Sequence, residues 1–299
     1  MSNSRWTADR IGDQAGRRVV VTGATSGIGK EAARVLAGKN AAVVIAARNM
    51  QKAQTTVDEI RAGYPKADVS CRELDLSSLK SVSAFAESYG AEFDRLDVLI
   101  NNAGVMIPPY SKTEDGFEIQ LGTNHLGHFA LTGHLLPLLK KTPGSRVVVV
   151  SSMAHRSGKL DFSDLNWETR PYKTGKAYGD SKIANLHFGY ALAAKLKDSG
   201  GTPMVVAAHP GWSSTELMRH SSVVTLMSKI FAQPGDMGAL PTLRAGFDDD
   251  ATAGDYFGPA NLFGMRGHPV KVTSNARSHD TQIAAQLWRQ SEELTGVTY

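Results

Sequence analysis

Tyr178 and Lys182 close the segment Tyr178-Gly179-Asp180-Ser181-Lys182. In a helix that four-residue spacing puts phenol and ammonium on one face. A free phenol has a pKa near 10, so only about one in a thousand is ionised at neutral pH. A neighbouring ammonium lowers that value, and Tyr178 could then pass a proton to or from a substrate oxygen. Taken alone, such a pair is more often a packed ring beside a solvated amine.

A second group lies near the N-terminus. A short apolar run leads straight into Thr22-Gly23-Ala24-Thr25-Ser26-Gly27-Ile28-Gly29 and then into a helical pattern. The glycines make the turn tight and let the backbone approach a pyrophosphate, while the helix start offers free N–H groups and a positive dipole end. The spacing is G-x-x-x-G-x-G, and without a ligand it is simply a Gly-rich strand–helix turn. The next apolar run ends in Ala46-Ala47-Arg48-Asn49, and no Asp or Glu occurs between Glu31 and Asp58. A carboxylate at that place holds a ribose 2′-hydroxyl, whereas an arginine suits a 2′-phosphate. Arg48 therefore favours NADP(H) over NAD.

These residues need a scaffold, and the pattern supplies one. Apolar runs at 19–22, 42–46, 69–74, 98–101, 147–151 and 204–208 lack polar alternation, as parallel strands covered on both faces should. Helical periodicity fills 30–37, 51–61, 79–89, 123–140, 177–197 and 281–294. Repeated strand–helix units predict an α/β fold, a doubly wound parallel sheet of the Rossmann type with ligands at the carboxyl ends of its strands. No linker or repeat divides the chain, so residues 1–299 read as one domain. The rhythm breaks over about 212–264, which carries the apolar stripe Leu217, Met218, Val223, Val224, Leu226, Met227, Ile230 and Phe231. We read this stretch as a small helical lid over an apolar substrate. Met106, Ile107, Pro108, Pro109 and Tyr110 form a second apolar wall.

Gly23 to Gly29, Asn101-Asn102-Ala103-Gly104, Asn124, Ser152 and the Tyr178/Lys182 pair occur in the order and spacing of the short-chain dehydrogenase/reductase family, which the chain resembles from about residue 17 to 294. Ile45-Ala46-Ala47-Arg48-Asn49, Glu73-Leu74-Asp75-Leu76, Asn124-His125-Leu126-Gly127-His128-Phe129 and Val150-Ser151-Ser152-Met153-Ala154-His155 look like its retinol-dehydrogenase-like branch. The resemblance implies roles. Tyr178 would be the general acid/base, Lys182 would hold the nicotinamide ribose and lower the phenol's pKa, and Ser152 would bond the substrate oxygen. Asn124 would tie Lys182 to a proton-returning water chain. Asp75 and Leu76 would flank the adenine, Asn102, Ala103 and Gly104 the adenosine, and Pro210, Gly211 and Thr215 match a P-G-x-x-x-T motif in which Thr215 steadies the carboxamide. Ser152 and Tyr178 stand 26 positions apart, about twice the separation in many members; the retinol-dehydrogenase-like branch has a comparable insertion.

The implied activity is NADP(H)-dependent interconversion of a carbonyl and an alcohol on an apolar aldehyde, ketone or retinoid-like substrate. Two alternatives differ in kind: a non-catalytic NADP(H)-binding redox sensor, which has little reason to keep a full proton relay, and a reductase of a C=C bond. The family resemblance also implies a homodimer or tetramer.

Composition narrows the partners. Hydrophobic residues are 41% and charged residues 21% of 299, an ordinary globular balance, and the net charge of +4 is scattered. A nucleic-acid footprint needs clustering, so none is expected. The single cysteine, Cys71, excludes an internal disulfide or multi-cysteine metal site and reads as a small buried hydrophobe. Apolar runs fall far short of the roughly 20 residues that span a bilayer, and residues 1–18 lack a signal-peptide apolar core. A cytoplasmic chain without a transmembrane anchor is expected. His125 and His128 lack a third ligand and read as core or capping residues, so no metal is expected. His155 could touch substrate or brace structure, and Lys140, Lys141 and 266–279 read as solvated surface.

Overall fold

The computed structural model describes residues 5–197, 200, 202–212 and 233–299. The strands are β1 (Arg18–Thr22), β2 (Ala42–Ala47), β3 (Val69–Glu73), β4 (Val98–Asn101), β5 (Arg146–Val150), β6 (Met204–Ala208), β7 (Tyr256–Asn261) and β8 (Arg266–Lys271). They form one sheet in the order β3-β2-β1-β4-β5-β6-β7-β8. All neighbours are parallel except β7 and β8. The order reverses between β1 and β4, and that is where an open α/β sheet leaves a crevice for a ligand.

The helices are α1 (Gly27–Gly38), α2 (Met50–Gly63), α3 (Leu79–Glu92), α4 (Ile119–Leu121), α5 (Gly127–Lys141), α6 (Thr174–Lys197), α7 (Gly235–Phe247) and α8 (Thr281–Thr295). Alternate residues of each strand feed opposite layers. Val19, Val21, Ile45 and Val148 pack with Leu36 of α1, Ile60 of α2 and Leu243 of α7. Val20, Val44, Val147 and Val149 pack with Phe85 of α3, Leu135 of α5, Phe188 of α6 and Trp288 of α8. Both faces of the sheet are thus apolar, which is why its inner strands read as unbroken hydrophobic runs.

One expectation needs correcting. The region expected as a lid over 212–264 contains sheet and core from residue 235 onward: α7 buries Leu240, Leu243 and Phe247, and β7 pairs with β6 through Ala207–Tyr256 and Ala208–Phe257. The stretch 266–279, expected as solvated surface, begins with the edge strand β8, whose Val270 and Lys271 are exposed. The sequence hid these strands because β7 carries Gly258, Pro259 and Asn261, past the two residues that pair with β6, and the edge strand β8 carries Gly267 and Pro269, all poor strand formers. The helix predicted over 123–140 is present as the wide i→i+5 turn Gly122–Leu126 followed by α5, with α4 leading into it. The Leu217–Phe231 stripe and Thr215 lie outside the described residues. Cys71 is half-buried on β3.

Burial also fixes how the fold meets acid. His125, His128, His187 and His209 are all buried. Burial pushes their pKa values from the usual 6.5 down to about 3, 4, 4 and 3. Between those values and 6.5 the unfolded chain binds protons that the folded chain refuses. The stability held above pH 6.5 is therefore lost as pH falls, by up to about 1.4 kcal/mol per pH unit for each histidine. The melting temperature is expected to stay level from pH 8 to 7 and to fall steeply below pH 6.5, with proton uptake on unfolding. Calorimetry across that range checks this; a melting temperature unchanged down to pH 5 contradicts it.

Candidate active site

A cleft of about 670 Å³ runs along the carboxyl ends of β1, β2, β4 and β5. Its floor begins where Thr22 ends β1. Ser26 precedes α1 without a side-chain cap and the first turn carries no acidic residue, so the helix start keeps its N–H groups for an anion. A Cβ on Gly29 would stand 2.5 Å from Asn102 Nδ2 and 2.8 Å from Gly23 O, so α1 can seat against that loop only with glycine there. Thr22 Oγ1 accepts from Asn102 N and Ala103 N, both at 2.9 Å, and Asn102 Nδ2 donates to Thr22 O at 2.9 Å.

Gly23, Thr25, Ser26, Gly27, Ile28, Gly29, Arg48, Asn49, Asp75, Leu76, Asn102, Ala103, Gly104, Tyr178, Lys182 and Pro210 all line this cleft. Asn49 also caps α2, its Oδ1 accepting from Lys52 N at 2.9 Å. Arg48 is 72% exposed, with Nη1 3.9 Å from Asp75 Oδ2. Asp75 is held by Ser77, whose N and Oγ donate to Oδ1 at 2.9 and 2.6 Å. Lys52 lines the same end of the cleft. Sequence reading passed over it, although a lysine in the first turn of α2, beside Arg48, was a visible signal. The uncapped helix, the glycine seat and this pair of cations fit a dinucleotide, with Arg48 and Lys52 at its adenosine end.

At the other end β5 and α6 meet. Lys182 is buried, its Nζ 3.4 Å from Val150 O and 5.7 Å from the centre of the Tyr178 ring. Burial lowers its pKa from 10.5 to about 8. Burial raises the Tyr178 phenol to about 12, opposed by a hydrogen bond with Ser152. The lowering expected from Lys182 together with an oxidised nicotinamide belongs to the cofactor-bound state; in the free protein desolvation sets the direction. Tyr178 is protonated at neutral pH. Ser152 caps the turn Met153–Ser157, its Oγ accepting from Ala154 N at 3.2 Å. A Cβ on Gly179 would lie 2.6 Å from Ser157 Oγ and 2.9 Å from Ala154 O. The glycine beside Tyr178 is what lets α6 touch the serine turn.

Asn124 sits in the wide turn before α5. Its Nδ2 donates to Val105 O at 3.0 Å and Ser181 Oγ at 2.9 Å, and its Oδ1 accepts from Val105 N at 2.8 Å. Ser181 Oγ donates to Tyr178 O at 2.8 Å. Asn124 therefore clamps the loop after β4 to the helix that carries Tyr178 and Lys182. Gly211 follows Pro210 with φ +70°, its N donating to His209 Nδ1 at 3.2 Å. His155 braces the serine turn, with Nδ1 donating to Ser152 O at 2.6 Å and Nε2 accepting from Asn275 N at 3.3 Å.

The long separation between Ser152 and Tyr178 has a structural use. Fully buried Glu118 accepts from Tyr172 Oη at 2.7 Å, Gln120 N at 2.9 Å and Leu121 N at 2.7 Å. Gln120 Oε1 accepts from Ile107 N at 3.0 Å, and Thr174 Oγ1 donates to Pro108 O at 2.9 Å. Tyr172 stands edge-on to both Tyr110 and Trp167. This network props the loop whose Val105, Met106 and Pro108 form the apolar wall of the cleft beside Tyr178. Nothing in the sequence linked Glu118 and Gln120 to residues some 50 positions on.

Among the described residues no group of three or more His, Cys, Asp or Glu could hold a metal, and no helix is long and apolar enough to cross a membrane. A family model described as short chain dehydrogenase matches residues 17–223. Retinol dehydrogenase 12 of Homo sapiens is 43% identical over 289 residues, covering 95% of this chain and 88% of that one. A crystal structure of an uncharacterised protein from Mycobacterium paratuberculosis is 42% identical, with a TM-score of 0.84 and 99% of each chain covered. The RhlG/NADP active-site complex of Pseudomonas aeruginosa is 27% identical, with a TM-score of 0.65 over 82% of this chain and 94% of that one.

Proposed function

This chain belongs to the short-chain dehydrogenase family, an oxidoreductase family of carbonyl/alcohol chemistry, and from that premise we propose that it is an NADP(H)-dependent enzyme using Tyr178 as its acid/base on an apolar substrate. The observation that carries the reading is the meeting of Tyr178, Lys182 and Ser152 in one place. Tyr178 and Lys182 line the end of the cleft where Val105, Met106 and Pro108 make the wall apolar, and Ser152 caps the turn that α6 touches through Gly179.

Reduced nicotinamide bound there would supply the hydride. The protein's own share is orientation and a proton. Ser152 and the Tyr178 phenol would both hydrogen-bond the substrate oxygen, and Tyr178 would hand over its proton as negative charge develops. Lys182, beside the ring, would stabilise the phenolate left behind. Asn124 would hold α6 and the loop after β4 in register. Ile119 and the wall after β4 offer little to a polar substrate, which supports a long aldehyde, ketone or retinoid. The relatives named retinol dehydrogenase point the same way. Arg48 and Lys52 would hold the 2′-phosphate, and the similarity to an NADP complex agrees.

The test is oxidation of NADPH or NADH against a panel of retinaldehyde, long-chain aldehydes and hydrophobic ketones, beside a direct NADPH titration. Turnover of an apolar carbonyl, faster with NADPH, is expected. Tight NADPH binding with no turnover across the panel would count against the reading and favour a redox sensor, and consumption only with α,β-unsaturated substrates would favour C=C reduction.

A further inference from the structure

His128 lies outside the cleft, yet it touches Thr22 at the end of β1 and Asn124 in the wide turn before α5. Its imidazole is buried in the first turn of α5. Nε2 is 2.9 Å from Thr22 Oγ1, and Nδ1 is 3.0 Å from Asn124 O. A carbonyl oxygen only accepts, so Nδ1 carries the proton. The ring is neutral, since burial and the nearby Lys182 charge hold its pKa down at about 4. Nε2 is then an acceptor and takes the Thr22 hydroxyl proton. That proton has one rival, Ile100 O at 3.3 Å. With its proton turned to His128, Thr22 Oγ1 presents lone pairs to Asn102 N and Ala103 N. The other arm fixes the backbone of Asn124, whose side chain clamps Val105 and Ser181.

We propose that His128 is a positioning residue that couples the dinucleotide-binding loop Asn102–Ala103 to Asn124, one ring nitrogen serving each. The proposal rests on the cofactor and acid/base reading given above. Each arm is one buried hydrogen bond, so its loss should shift the parameter it controls by about tenfold.

Three variants separate the arms. His128→Leu removes both. His128→Asn places a donor where Nδ1 was, and His128→Gln places an acceptor where Nε2 was. NADPH dissociation constants come from titration without substrate; kcat comes from saturating NADPH with the carbonyl substrate found in the panel. His128→Leu is expected to weaken NADPH binding and lower kcat, each about tenfold. His128→Asn should recover kcat more than affinity, and His128→Gln affinity more than kcat. Thr22→Val should reproduce the affinity loss on its own. If His128→Leu does not fold, the Asn and Gln variants still carry the comparison, because both keep a polar group at the site. The proposal is overturned if both polar variants lose affinity and kcat in equal proportion, if neither improves on leucine, or if all three match the parent. Tyr178→Phe is measured beside them. An active Tyr178→Phe would sink the acid/base reading, whereas the NADPH titrations would still decide the Thr22 arm.

Discussion

Tyr178→Phe is expected to lower kcat by about 10³- to 10⁴-fold, the range that a positioned general acid contributes, while NADPH affinity changes by less than tenfold. The substitution keeps the ring beside Lys182 and removes only the hydroxyl. In the free protein burial holds this phenol near 12, so the proton is in place for reduction at any ordinary pH. The reverse direction needs the phenolate, and there the raised pKa works against the enzyme until the positive charge of an oxidised nicotinamide joins that of Lys182. Alcohol oxidation should therefore rise with pH across the range where carbonyl reduction is level, and Tyr178→Phe should abolish the difference. Single-turnover rates in both directions, with NADPH titration as a control for folding and binding, check the expectation. A kcat within tenfold of the parent would remove Tyr178 from the chemistry.

That expectation was visible in the sequence because its parts are local. A four-residue spacing on a helix, a glycine-rich turn after a strand and an arginine at a strand end each need only their own few residues to be read. The buried strands were legible for the same reason, since β1, β2, β4, β5 and β6 are apolar on both faces. What escaped depends on partners far along the chain. β7 and β8 close an edge, where Gly258, Pro259 and Pro269 do no harm. Glu118 reads as a surface acid until Tyr172, 54 positions on, turns out to bond it. The sign of the Tyr178 shift escaped too. Residue types show a lysine four positions on, but only the fold reveals how strongly the phenol is desolvated.

Arg48→Asp is expected to reverse cofactor preference, changing the NADPH-to-NADH ratio of kcat/KM by about 10³-fold. Losing a charge-assisted bond to the 2′-phosphate costs about 1.5–3 kcal/mol. A carboxylate in its place adds repulsion against the phosphate while offering an acceptor to a 2′-hydroxyl. The guanidinium can swing to a ligand at little cost, because it is largely exposed and only 3.9 Å from its ion-pair partner Asp75, and such pairs are weak. Asp75 itself follows β3, one strand beyond the place where a ribose-binding carboxylate is expected, and Ser77 holds it. Lys52→Gln should move the ratio the same way but less, about three- to tenfold, since a lone ammonium offers a point charge in place of a planar fork. Both effects should shrink as salt screens the phosphate. Steady-state ratios for the two variants at low and physiological salt decide the matter. A ratio unmoved by Arg48→Asp would place the 2′-phosphate elsewhere and leave Arg48 as a surface residue paired with Asp75.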